Sequence, residues 1–133
     1  MEWFHPGEHA VVERALDRLQ RSGAAFLRTH VSWAEYQAPG GEDWYDWLLP
    51  TLAARTELLP CVHYTPPSLS RNGTTTGAPR VLKDYADFVD HLLTRHGRHF
   101  THVELWNEPN NLLDWDWRAD PDCALFCEMV GNA

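Results

Sequence analysis

The sequence predicts an α/β fold built from repeated parallel crossover units. Amphipathic stretches, with apolar residues every three or four positions, alternate with short apolar runs in the order helix, strand, helix, strand, helix, strand, helix. The length, 133 residues, suits a single domain, residues 1–133, with a modest core of its own. No low-complexity tract, linker or charge block divides the chain.

Each element has its own justification. Pro6 to Ser22 reads as a helix in which Val12, Ala15, Leu16 and Leu19 recur at helical spacing while Glu13, Arg14, Asp17, Arg18 and Arg21 face water. Gly23 is its stop. Ala25 to Val31 is a short run suited to a buried strand, and it carries the polar residues Arg28 and His30. Pro39-Gly40-Gly41 marks a loop. Glu42 to Arg55 returns to helical spacing through Trp44, Trp47, Leu48 and Leu52, with Pro50 expected to interrupt or kink it. Glu57 to Tyr64 is the second strand, although Pro60 removes a ladder donor. Thr65 to Pro79 is a loop of about fifteen residues, a length associated with function. Leu82 to His96 is a helix with Tyr85, Phe88, Val89, Leu92 and Leu93 on one face and Gly97 after it. Thr101 to Trp106 is the third strand, with Val103 and Leu105 on one side, and Pro121 opens a last helix from Asp122 to Val130.

Composition narrows the function. Eleven Lys and Arg against nineteen Asp and Glu give a net charge of −8. With one Lys (Lys83) and scattered Arg residues, that charge disfavours nucleic acid as a partner. No apolar run approaches the roughly 20 residues of a membrane span, and Met1 to His5 carries no secretion-signal pattern. Cys61, Cys123 and Cys127 form no disulfide framework, since Cys123 and Cys127 lie four apart on an expected helix. The expectation is a reduced, cytoplasmic chain. Seven Trp residues are unusual. Indole rings fill cores and also stack on sugar rings, and composition does not choose between the two.

In α/β folds the loops that follow the strands gather at the C-terminal edge of the sheet, and that edge holds the site. The strand ends present Arg28, His30 and Trp33, then His63 and Tyr64, then Asn107 and Glu108. The last set lies in Thr101-His102-Val103-Glu104-Leu105-Trp106-Asn107-Glu108-Pro109-Asn110. This segment resembles the acid/base signature of the large clan of retaining glycoside hydrolases built on the (β/α)8 barrel, and the whole chain resembles the first half of a β-xylosidase-like member.

The resemblance implies a fold of roughly the first four β/α units, an open half-barrel in which the Asn-Glu pair closes the fourth strand and Met1 to His5 is the end of a clipped first strand. It implies Glu108 as general acid/base and Asn107 as the donor to the sugar 2-hydroxyl. Arg28 and His63 would line the sugar subsite, Trp33 and Trp106 would be sugar platforms, and Trp115 with Trp117 would wall the aglycone side. Arg28 equally suits a salt bridge with Glu104, and His63 a satisfied strand-end histidine. A glycosidic oxygen leaves poorly unless protonated, so the acid must hold its proton near neutral pH. Burial of Glu108 among Trp106, Trp115 and Trp117 is expected to supply that property.

The family's barrel takes about 250 residues, and its nucleophile, a Glu about 5 Å from the acid/base, ends a seventh strand that has no counterpart here. The expectation is therefore a truncated O-glycosyl hydrolase lacking its nucleophile, with Glu104, Asp114 and Asp116 as substitutes that no spacing argument favours. The alternative is a non-catalytic carbohydrate-binding protein or an inactive remnant of a glycosidase barrel. A neutral β-linked saccharide such as a xyloside is the expected partner. Exposed sheet edges would invite self-association or a complementing half-barrel. No cofactor is implied. His5 and His9 flank Pro6-Gly7, which argues against a helical metal pair.

Overall fold

The apolar periodicities become elements close to where they were read. The computed structural model describes residues 5–133. Helix α1 (His9–Ser22) buries Val12 and Leu16 and ends at Gly23, whose left-handed backbone (φ 77°) turns its N–H onto the Gln20 carbonyl. It starts after Pro6 because Pro6-Gly7 is a turn, with Gly7 at φ 90°. Strand β1 (Phe26–Ser32) follows, then a short helical turn α2 (Trp33–Tyr36) that periodicity does not announce. Ser32 makes that turn by capping it, its hydroxyl accepting the Glu35 N–H at 3.1 Å. Helix α3 (Gly41–Ala53) runs through Pro50. Thr51 donates its hydroxyl to the Trp47 carbonyl at 2.6 Å, beside the point where the proline breaks the helical ladder.

Strand β2 (Glu57–His63), helix α4 (Lys83–His96), a 3-10 turn (Gly97–His99), strand β3 (Glu104–Leu105) and helix α5 (Ala124–Gly131) complete the chain. The sheet is parallel with strand order β1-β2-β3. Val62 accepts the Trp106 N–H at 2.8 Å, so the even-numbered residues of β2 aim their backbone groups toward β3. The missing N–H of Pro60 faces that side too, where pairing begins only at Cys61 opposite Glu104. The proline therefore breaks no bond of the sheet.

This topology corrects the expected partial (β/α)8 barrel. Among the described residues the molecule is a small α/β fold with five α-helices and an open three-stranded parallel sheet, not four β/α units of a half-barrel. Barrel closure needs successive tilted, staggered strands that carry the ladder onward. Here β3 pairs through just two residues, Glu104 and Leu105, far short of the run expected from Thr101 to Trp106. Of the strand end expected at Met1 to His5, residues 1–4 lie outside the described residues, and His5 is not in a strand.

Alternation along the strands separates two chemistries. Val31, Leu58 and Val62 join the core with Val12 and Leu16 of α1, Trp44, Leu48, Leu49 and Leu52 of α3, and Tyr85, Val89 and Leu92 of α4. Arg28, His30, Cys61, His63 and Glu104, one position out of phase, share the opposite face. Tyr85 fastens α4 to the sheet by donating its buried hydroxyl to the Val62 carbonyl at 2.8 Å. Leu93, expected on the buried face of α4, is instead among the exposed large apolar residues. No helix of the described residues is long and apolar enough to cross a membrane.

Gly41, at the start of α3, packs directly on the backbone of the preceding turn, and a Cβ there would overlap the carbonyl oxygens of Glu35 and Tyr36. At Gly131 a Cβ meets nothing. Gly41→Ala is thus expected to destabilise the fold by more than about 2 kcal/mol, as overpacking against backbone does. Gly131→Ala is expected to be neutral or stabilising by up to about 1 kcal/mol. Urea denaturation of the two variants measures the contrast.

Candidate functional site

One chain of polar side chains links β1, β3 and the loop that follows β3. Arg28, in β1, grips Glu104, in β3, through two bonds: Nε to Oε2 at 2.6 Å and Nη2 to Oε1 at 2.8 Å. The same Nη2 donates to Asn107 Oδ1 at 2.8 Å. The Asn107 Nδ2 then donates to Asp114 Oδ1 at 2.9 Å. These bonds reach across the two-residue strand and fix the loop beyond it. The guanidinium holds the Glu104 carboxyl below the usual carboxylate range, and the same bonds raise Arg28.

His30 and His63 sit beside this chain. Arg28 Nη1 lies 3.4 Å from His30 Nε2, and the two imidazoles meet edge to face with centroids 4.3 Å apart. His63 is fully buried at the end of β2, with neither ring nitrogen in a hydrogen bond. Burial, with smaller repulsion from His30 and Arg28, pushes it down to about 3. His63 is consequently neutral, and its 3.8 Å approach to Asp114 is not an ion pair. Burial likewise lowers His30, with Arg28 adding to the effect. Beneath them the Cys61 thiol donates to the Trp106 carbonyl at 3.3 Å, and burial raises it to about 12.

The backbone at this edge is unusual. Tyr64 (φ 65°), Trp106 (φ 71°) and Glu108 (φ 30°) all take left-handed conformations without being glycine. Such residues cost on the order of 1 kcal/mol each and gather where the surroundings hold them for a purpose. Trp106 is held by its N–H on the Val62 carbonyl and by its indole Nε1 on the Asp114 carbonyl at 3.0 Å. The loops after β2 and β3 are also tied to each other. Asn72 donates to Asp116 Oδ2 at 2.9 Å, and the Asp116 N–H donates to the Thr76 carbonyl at 2.8 Å.

The expected site residues therefore separate into two groups. Arg28, His63 and Asn107 are brought together, with His30 between the first two. Glu108 lies at the same edge, but its carboxylate is exposed and accepts the Asn111 side-chain amide at 3.2 Å. The expected burial of Glu108 among three indoles is corrected. Trp106 and Trp115 are core residues, 2% and 1% exposed, with their N–H groups committed to the Asp114 carbonyl and Asp120. Trp117 is exposed, with Arg118 over its ring. Trp33, 1% exposed, stacks on Phe88 at 5.5 Å. The ring faces of Trp33, Trp106 and Trp115 are thus enclosed, which removes them as sugar platforms.

The carboxylates offered as substitute nucleophiles all have structural partners: Glu104 has Arg28, Asp114 has Asn107, and Asp116 has Asn72. Asp114 is the partner of Asn107 that spacing alone does not reveal. Its only sequence signal is its position seven residues past Asn107 in a turn-forming run. A cleft of about 800 Å³ lies elsewhere, lined by Trp33, Tyr36, Glu42, Asp84, Phe88 and His91 among others, and it contains none of Arg28, His63, Asn107 or Glu108. No protein-family model matches the chain, and no curated protein matches it.

Two measurements follow from the buried groups. His63 is neutral when folded but binds a proton near about pH 6.5 when unfolded. The stability it contributes is complete above about pH 6.5 and is lost as pH falls from there toward about 3. The loss runs at up to about 1.4 kcal/mol per pH unit. Urea denaturation over this range should show stability falling with pH, and His63→Gln should flatten the slope by one proton. In the folded chain iodoacetamide should modify exposed Cys127, while buried Cys61 should react only after unfolding.

Proposed function

We propose that the chain carries the acid/base part of an O-glycosyl hydrolase site of the retaining β-glycosidase type, β-xylosidase-like, acting on a neutral β-linked saccharide. The observation that carries the reading is the segment Trp106-Asn107-Glu108-Pro109-Asn110 at the C-terminal end of β3, with Asn107 held between Arg28 and Asp114. Glu108 is the proton donor to the leaving oxygen, and Asn107 faces the sugar 2-hydroxyl, where charge develops in the transition state. A sugar seated over Glu108 would strip its water and favour the protonated form. The attacking carboxylate is not assigned to any residue of this chain.

One observation favours a second reading. Glu104, Asp114 and Asp116 are each engaged by a neighbour, which suits a non-catalytic carbohydrate-binding site built from the same residues.

Titration with methyl β-xyloside, followed by NMR, is expected to shift signals of Arg28, His63, Asn107 and Glu108. Cleavage, with azide added as external nucleophile because no residue of this chain is assigned to the attack, should then be compared on xylobiose and on a dinitrophenyl xyloside, whose leaving group needs little protonation. Under the hydrolase reading Glu108→Gln lowers turnover of xylobiose by about 10²-fold or more and that of the aryl xyloside far less. Binding that survives Glu108→Gln, with no turnover in either protein, supports the second reading. No shift with xyloside or glucoside defeats both.

A further inference from the structure

The Asn107 amide sits between two groups of opposite and unambiguous character. Arg28 can only donate hydrogen bonds, and an ionised Asp114 can only accept them. With Arg28 Nη2 at 2.8 Å and Asp114 Oδ1 at 2.9 Å, the amide has one workable orientation, oxygen toward Arg28 and nitrogen toward Asp114. Turning it over would set NH2 against guanidinium and carbonyl against carboxylate. Both ends of this arrangement are braced. Arg28 is held by its paired bonds to Glu104. Asp114 is 5% exposed, its backbone carbonyl accepts the Trp106 indole, and its own N–H donates to the Asn111 carbonyl at 3.0 Å.

We infer that Asp114 and Arg28 are positioning residues that lock the Asn107 side chain in one orientation and thereby set what it can recognise. After these two bonds the amide keeps one Nδ2–H and one Oδ1 lone pair. A hydroxyl group, which donates and accepts, can meet either. A deoxy carbon can meet neither. On the glycoside reading, on which the identity of the ligand rests, the lock makes a free 2-hydroxyl a requirement for tight binding. The orientation itself rests on the hydrogen-bond chain alone. Asp114 thus acts on ligand choice through Asn107, without serving as the attacking carboxylate.

Two variants test the lock from its two ends. Asp114→Asn replaces the pure acceptor by a group that can present either atom. Arg28→Gln does the same at the exposed end, where the risk of misfolding is smaller. The first readout needs no sugar. In the wild-type chain the two Asn107 Nδ2 protons should give well-separated NMR signals, with the one facing Asp114 displaced downfield and slow to exchange. Either variant should collapse that separation. The second readout is affinity for methyl β-xyloside against its 2-deoxy analogue. The wild type should prefer the hydroxylated sugar by at least about tenfold, and the variants by less than about twofold. A merely structural role would weaken both sugars equally and keep the ratio. Separated signals and an intact ratio in both variants would overturn the inference. If the wild type binds neither sugar, the glycoside reading falls, and the amide signals alone decide whether the lock exists.

Discussion

Trp106 is the residue on which the edge of the sheet after β3 depends. A strand of two residues cannot hold its own end in register, and β3 has only Glu104 and Leu105. Trp106 supplies what the ladder lacks. Its N–H extends the pairing to Val62, its carbonyl accepts the Cys61 thiol, and its indole reaches over to the Asp114 carbonyl. Its ring meets Tyr85 and Trp115 edge to face, at 5.5 and 5.2 Å. Those contacts hold a left-handed backbone at a residue with a large side chain, and the strained turn aims Asn107 along the sheet edge toward Arg28.

Several parts of this arrangement were legible in the sequence. Val12 and Leu16, or Tyr85, Phe88 and Leu92, repeat at helical spacing, and their burial follows from that repeat because it is local. Strands β1 and β2 fall on the expected apolar runs for the same reason. Pro60, which argued against a strand, is tolerated because its missing donor faces the side where β3 has not yet begun to pair. That fact belongs to the register and to no stretch of sequence. The length of β3 was equally hidden, since Thr101 to Val103 look as suitable for a strand as the two residues that form it.

The sequence offered candidate residues one at a time and not the network that joins them. Arg28 meets Glu104 and Asn107 across 76 and 79 positions of chain. A pairing at that distance leaves no trace in spacing. The tryptophans were misplaced for a related reason. An indole that fills a core and one that faces a ligand have the same sequence surroundings, and packing alone separates Trp115 from Trp117. The parallel sheet adds a further contrast. Such sheets usually bury both faces in apolar contacts, yet here alternate residues give one face to the core and the other to Arg28, His30, His63 and Glu104. A sheet that spends half its side chains on polar contacts draws less stability from burial, and the helices on its apolar face carry correspondingly more of the fold.

The tie between the two long loops has an entropic consequence. Asn72 takes the Ser70 hydroxyl, the Thr74 N–H and the Thr74 hydroxyl on one oxygen, and it hands its amide to Asp116. Gly77 packs so closely on this knot that a Cβ there would collide with the Asn72 and Ser70 side chains. The segment after β2 and the segment after β3 consequently behave as one body. Their conformational freedom is surrendered during folding, when the core can offset the cost, and a molecule arriving at the sheet edge meets walls that are already set. Ordering these loops adds little to the cost of its association, and a break in the Asn72 knot would transfer that cost from folding to binding.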